Sequence, residues 1–225
     1  MDLLGIIFPR KCFGCGKFGS YVCGSCMENM GEIVQICPVC KRKSLKGYTH
    51  KRCRSESSPD RLIISLPYKG WVRKAIHTMK YKYAFDIAGS LVDSVNDRLK
   101  NIKGKYLLVP LPIHRKKFNL RGFNQCAEIS KLLALRKNWK HIPDLLEKTK
   151  ITKSQVGLSK KEREDNIYGS LRVNPKYEHF ETISRVILLD DVWTTGTTLK
   201  EGIRILKQFG FKQVWGLVIA KPTRT

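Results

Sequence analysis

The sequence predicts an α/β protein: a mostly parallel sheet with flanking helices, preceded by a small cysteine-rich module. Three observations carry this. Seven of the eight cysteines fall before residue 54, six of them in pairs with two residues between the partners. Beyond residue 60, short aliphatic runs alternate with amphipathic segments, the pattern of successive β and α elements around a parallel sheet. One of those runs, Val186 to Leu189, ends in two adjacent carboxylates, Asp190 and Asp191, followed by a Thr/Gly loop.

At 225 residues the chain accommodates one large domain, or a domain plus an appendage, and its 42% hydrophobic content supports a core. The charge is lopsided: 43 Lys and Arg against 19 Asp and Glu give +24. Residues 1–61 carry 11 basic and 5 acidic residues, so +18 of the +24 sits on the remainder. Such an excess points to a polyanion, nucleic acid first and an anionic membrane surface second, with plain solubility as the alternative. No run approaches the ~18 apolar residues that span a bilayer. The opening stretch lacks a basic n-region, so it does not read as a signal peptide. Leu3, Leu4, Ile6, Ile7 and Phe8 read as a short apolar helix packed on the protein, with contact at a membrane surface as the alternative.

The amino-terminal module takes residues 1–56. Cys12-x-x-Cys15, Cys23-x-x-Cys26 and Cys37-x-x-Cys40 are followed by His50-x-x-Cys53 at the same spacing. Eight such ligands make two tetrahedral zinc sites, with every position filled by protein and none open for catalysis. Sequential grouping puts Cys12, Cys15, Cys23 and Cys26 on one ion and Cys37, Cys40, His50 and Cys53 on the other; a crossed grouping is the rival, and one site could stay vacant. The pairing also suits a reducing, cytoplasmic setting better than a disulfide framework. About 60 residues build little core alone, so metal would supply the missing folding energy. Ser55 to Asp60 reads as a polar linker, and residues 60–225 as the second domain. Cys126, alone in a helical pattern, reads as a core thiol.

The second domain opens with a strand over 62–68 and a helix over 70–82. That helix turns Trp71, Ala75, Ile76 and Met79 inward and places Arg73, Lys74, His77 and Lys80 on its other face. Arg73, Lys74 and Lys80, interleaved with aromatics from Trp71 to Tyr83, are candidates for binding single-stranded DNA; a helix packed at a domain seam is the plainer reading. A second amphipathic helix covers 85–99. Tyr106 to Pro112 reads as a buried strand running into a basic loop, His114-Arg115-Lys116-Lys117, a candidate anion site. A helix follows from about Asn124 to Arg136. Residues 148–166 are polar, basic and poorly periodic; a segment of that kind inside a domain is usually functional, and Lys153 and Arg163 are its candidate residues. Strand, helix and strand close the chain over 185–191, 198–209 and 212–219.

The acid pair is the most specific feature. Four aliphatics suit a strand buried on both faces, and carboxyl ends of such strands present ligands. Thr194, Thr195, Gly196, Thr197 and Thr198 supply amides and hydroxyls, and Thr198 with Glu201 matches a capping box. A helix start favours phosphate while paired acids suit vicinal hydroxyls, so the combination fits a ribose 5-phosphate.

Val186 to Thr198 closely resembles the signature of type I phosphoribosyltransferases, which bind phosphoribosyl pyrophosphate (PRPP). The resemblance implies that Asp190 and Asp191 hold the ribose hydroxyls and Thr194–Thr198 the 5-phosphate. It further implies that His114–Lys117 hold pyrophosphate, that Mg²⁺ accompanies PRPP, and that the 148–166 segment is a lid closing on the ligand. Adding the cysteine module, Val109-Pro110-Leu111-Pro112, Arg121-Gly122-Phe123-Asn124-Gln125 and the Gln155…Arg163…Asn166 spacing, nearly the whole chain resembles the competence protein F (ComF) family. His50 departs from that family's more usual cysteine. The resemblance implies a cytoplasmic protein of natural transformation that assists single-stranded DNA passage at the inner membrane. Two alternatives stand beside it: an active phosphoribosyltransferase of unknown acceptor, and an adaptor whose zinc module docks a helicase-like partner. Cys12, committed to metal, is not offered as a glutaminase nucleophile.

Overall fold

The aliphatic runs of the larger domain become the strands of one parallel sheet. In the computed structural model, which describes residues 9–81, 85–149, 167–180 and 185–223, these are β1 (Arg61–Pro67), β2 (Leu107–Pro110) and β3 (Lys140–His141). A separate antiparallel pair, β4 (Leu146–Lys148) and β5 (Leu171–Val173), comes next, and β6 (Arg185–Val192) and β7 (Gln213–Lys221) rejoin the sheet. The order across the sheet is β1-β7-β6-β2-β3, every neighbouring pair parallel. The expected helix over Leu3–Phe8, and Lys153 and Arg163, lie outside the described residues.

Helix α1 (Gly24–Glu28) belongs to the cysteine module. Helices α2 (Gly70–Tyr81), α3 (Phe85–Leu99), α4 (Arg115–Arg121), α5 (Gln125–Lys137) and α6 (Thr197–Gln208) follow. Alternation along the strands divides the core in two. Ile187, Leu189, Leu108, Leu217 and Ile219 face α2, α3 and α5, while Val186, Leu188, Val109, Val214 and Val218 face α6. Both faces are covered, which is why the strands read as continuous apolar runs.

Two expectations need correction here. The basic stretch after β2 is a helix, not a loop: the His114 ring accepts from the Lys116 amide at its start (3.1 Å), and Gly122 in the left-handed region (φ 75°) ends it. Nor does Thr198 cap α6 with Glu201. The cap position is Gly196, and Glu201 instead accepts from the Gly169 amide (2.9 Å) and pairs with Arg204 (2.8 Å). A carboxylate drawn to the Gly169 amide and a guanidinium is not available to its own helix terminus.

The segment read as a linker is tied to its neighbours at Pro59 and Asp60. Asp60 extends β1 by donating its amide to Val214 O (3.0 Å) and accepting the Val214 amide on Oδ2 (2.8 Å). Thr49 donates its amide to Asp60 O (3.0 Å) and its hydroxyl to Pro59 O. The module also covers the free edge of β1. Gln35 accepts the Ile64 amide (3.0 Å) and donates to Ile64 O (2.8 Å), so one side chain does what a neighbouring strand would do. Val22 and Met30 join the core on one face and Ile33 and Ile36 on the other. The module thus straddles the sheet edge.

Replacing Gln35 with alanine leaves both Ile64 backbone groups without that partner. Stability falls by about 1–3 kcal/mol, a drop in melting temperature of several degrees for a chain of this size. An unchanged melting curve would show that Gln35 does not hold the edge.

Candidate functional site

β2 and β6 lie side by side, yet the chain leaves them in opposite directions, from β2 toward β3 and from β6 toward β7. Such a switch point leaves a crevice outside the carboxyl ends of the two strands. A cleft of about 360 Å³ opens there. Asp190, Asp191 and Thr194–Thr198 line one side, and Pro112, Ile113, His114, Lys117, Arg121 and Gln125 the other.

Asp190 and Asp191 are held side by side by their neighbours. The Asp191 amide donates to Asp190 Oδ1 (2.8 Å). Asp191 Oδ2 accepts from Gln125 Nε2 (3.0 Å) and meets Lys80 Nζ at 2.6 Å. Burial, reinforced by the Asp191 charge, pushes the Asp190 carboxyl up to about 7. Burial works against the Lys80 ammonium, but Asp191 outweighs it and holds that group above its ordinary range. Lys148 at the end of β4 also lines the cleft; burial and the nearby Lys117 charge lower it to about 8, with Asp190 opposing.

The loop after the acids is shaped from below. Trp193 is buried and ties its amide to Ala220 O (2.9 Å). Its indole lies directly under Gly196, where φ is 79° and an added Cβ would fall 2.2 Å from the ring. Only glycine fits. The Thr195 and Thr197 hydroxyls hydrogen-bond to each other (2.8 Å), closing the turn as α6 begins. First-turn amides lack intrahelical partners, so this side of the cleft suits an anion.

The run from Arg121 to Gln125 joins the two sides. Gly122 ends α4; the Asn124 side chain caps α5 through the Cys126 amide (3.0 Å) and donates to Leu111 O (2.9 Å). Arg121 Nη1 donates to Gln125 Oε1 (3.2 Å), and Gln125 in turn donates to Asp191.

Thirty per cent of residues are identical to competence protein F of Haemophilus influenzae over 222 residues, 93% of this chain and 90% of that protein. The chain belongs to the competence protein F family. Other members of similar extent are DNA utilization protein YhgH of Escherichia coli K12, 24% identical over 93% of this chain and 96% of the relative, and competence protein ComFC of Bacillus subtilis, 25% identical over 84% and 79%. No family model matches the chain.

In this ComF member the cysteine module forms two four-residue clusters, and they follow the sequential grouping. Cys12, Cys15, Cys23 and Cys26 converge, as do Cys37, Cys40, His50 and Cys53, with ligand atoms within 4.8 Å of one another in each. The crossed grouping is excluded by this geometry. Sulfurs of Cys12 and Cys15 stand 3.7 and 3.6 Å from that of Cys23, close to the edge of a tetrahedron with metal–sulfur bonds of ~2.3 Å. His50 turns Nδ1 to Cys40 (3.4 Å) and Nε2 to Lys43 O (3.2 Å). A ring that donates Nε2–H outward presents the Nδ1 lone pair to the cluster, so His50 can complete the four-residue set.

The ComF cleft gathers some of the expected site residues and disperses others. Asp190, Asp191 and Thr194–Thr198 line the cleft. Of the four basic residues after β2, His114 and Lys117 line the cleft; Arg115 and Lys116 do not. Because this stretch is helical, His114, Lys117 and Arg121 share one face at spacings of three and four, and a glycine three residues before the α5 region was the signal for that helix end. The three DNA candidates on α2 do not form one patch. Arg73 is exposed, Lys74 donates to Phe13 O in the module (3.2 Å), and Lys80 belongs to the cleft. Lys80 follows Val72 and Ile76 at intervals of four, on the edge of the apolar stripe, so its spacing pointed inward. Cys126, buried and pushed well above its ordinary value by that burial, is a core thiol as expected. No helix among the described residues is long and apolar enough to cross a membrane.

The raised Asp190 value has a consequence for stability. Between about pH 4 and pH 7 the folded protein holds a proton that the unfolded chain has released, so stability falls as pH rises through that window. Asp190→Asn removes the loss. The melting temperature of the ligand-free variant should exceed the parent's by roughly 5 °C at pH 8 and converge with it toward pH 4. A constant offset at all pH values would show that Asp190 is not the group that titrates.

Proposed function

We propose that this ComF protein binds PRPP with Mg²⁺ in the acid-pair cleft and serves single-stranded DNA uptake in natural transformation, working at the cytoplasmic side of the inner membrane. One observation carries the first half: two carboxylates at the carboxyl end of β6, with a Thr/Gly turn opening a helix 12 residues long beside them. The carboxylates accept from the ribose 2- and 3-hydroxyls. The turn from Thr194 to Thr198 takes the 5-phosphate, its shape fixed by Trp193 beneath Gly196. His114, Lys117 and Arg121 stand on the opposite wall, where the pyrophosphate would lie. Carboxylate, hydroxyl and phosphate oxygens are the donor set Mg²⁺ prefers, and the ion supplies charge neutralisation between them. Lys80 pairs with Asp191 before ligand arrives, and Gln125 fixes its orientation.

The competence and DNA-utilization names of its relatives, together with a formal charge of +24, support the second half. The zinc clusters are structural in this reading. They hold the module that covers the β1 edge.

Titration calorimetry should show PRPP binding with Mg²⁺ and none in excess chelator. Asp190→Ala with Asp191→Ala should weaken it about 100-fold or more, since charge-assisted hydrogen bonds to both hydroxyls are lost. Undiminished affinity in the double variant sinks the assignment. Release of pyrophosphate with added acceptors would turn binding into turnover.

Elemental analysis should find two zinc ions per chain, and one in Cys53→Ser. Stripping the metal should lower the melting temperature of the whole protein, because the module buries the sheet edge. Zinc-free protein with an unchanged melting curve would remove the structural role.

A further inference from the structure

A second cavity opens at the opposite end of the sheet, where Arg61 begins β1 and Tyr106 leads into β2. Strand length places it roughly 20 Å from the acid-pair cleft. Lys46, Tyr48, Arg61, Arg98, Lys103 and Trp215 line it, and no carboxylate among the described residues does. Its volume is about 330 Å³.

The cavity has a buried floor and an exposed rim. Arg61 is 8% exposed, donates Nε–H to Lys46 O (2.8 Å), and lies 4.9 Å from the Tyr48 ring centroid and 4.8 Å from that of Trp215. Buried guanidinium groups are ordinarily matched by a carboxylate; here aromatic faces and a carbonyl stand in its place. The Trp215 indole N–H is buried with no acceptor among the described residues. Lys46, Arg98 and Lys103 are exposed around the mouth, and the half-open face of Tyr48 stands among them.

Uncompensated cations around an aromatic face match a phosphate joined to a flat ring. Base stacking on an aromatic side chain needs a base free of its duplex partner, which favours a single strand over a double one. We infer that this cavity seats one nucleotide of a bound single strand, its phosphates on Lys46, Arg98 and Lys103 and its base against Tyr48. This rests on the DNA half of the proposed function and gives it a location: the end of the sheet away from PRPP.

The test uses the full-length zinc-loaded protein and a fluorescent thymidine oligonucleotide of twenty residues, followed by anisotropy between about 50 and about 200 mM salt. The cavity variant combines Arg98→Glu and Lys103→Glu with Lys46→Asn, asparagine being chosen because Lys46 has φ 51°. A control carries the same charge change at Lys17, Lys43 and Lys131, all exposed. The cavity variant should lower the slope of log affinity on log salt by about 2, as loss of three phosphate contacts requires, and the control by clearly less. Tyr48→Phe should bind as the parent does, and Tyr48→Ala should lose affinity about tenfold with its salt slope unchanged. Equal losses in cavity variant and control overturn the inference and leave the DNA role standing. Parent protein that fails to bind the oligonucleotide at the lowest salt overturns the DNA role as well. Zinc content and melting temperature report that each variant is folded.

Discussion

Two carboxylates side by side at the end of a buried strand are the constraint around which the larger domain is arranged. Burial raises the cost of charging Asp190, and the neighbouring Asp191 raises it further. The fold answers with groups from three separate elements. Lys80 comes from the last turn of α2, Gln125 from the first turn of α5, and Lys148 from the end of β4. None is near the acids in sequence. Their convergence requires that α2 and α5 pack on the same face of the sheet and that β4 return to its carboxyl end. The positions of those elements are therefore tied to the electrostatics of the cleft as well as to the apolar core.

Local features of the sequence revealed the acid pair and the cysteine module, because both are written in contiguous or regularly spaced residues. Four aliphatics followed by two acids and a Thr/Gly turn need no tertiary information to read. The same holds for cysteines at two-residue gaps, although only folding decides between sequential and crossed grouping. What remained hidden depends on distant partners. The spacing of Lys80 turns it toward the protein, but only the fold decides that Asp191 is what it meets there. Helix α4 has too few apolar residues to show a periodicity, and its limits are set by His114 and Gly122 rather than by a hydrophobic stripe. The β4–β5 pair joins three-residue strands about two dozen positions apart, too short and too remote to register as a pattern.

Ser55 to Asp60 shows what local reading leaves open. Its composition is that of a turn, and it is a turn, with Ser58 closing back on Ser55 (3.0 Å). Polarity alone does not distinguish a loose tether from a bound one. Asp60 is bound because its carboxylate and amide both meet Val214, and because Lys207 reaches the same carboxylate (3.2 Å). A short acidic side chain thereby extends the sheet by one residue.

The order of strands also bears on how the chain is made. β1 is the first strand of the sheet to leave the ribosome, and its partner within the sheet is β7, the last. During most of synthesis that inner edge has nothing to pair with, while its apolar residues are already exposed. Folding of the module, whose two Cys/His clusters are complete by residue 53, gives the outer edge its Gln35 partner early. The nascent chain can thus shield one flank of a sticky strand until the carboxyl-terminal strand arrives to close the other.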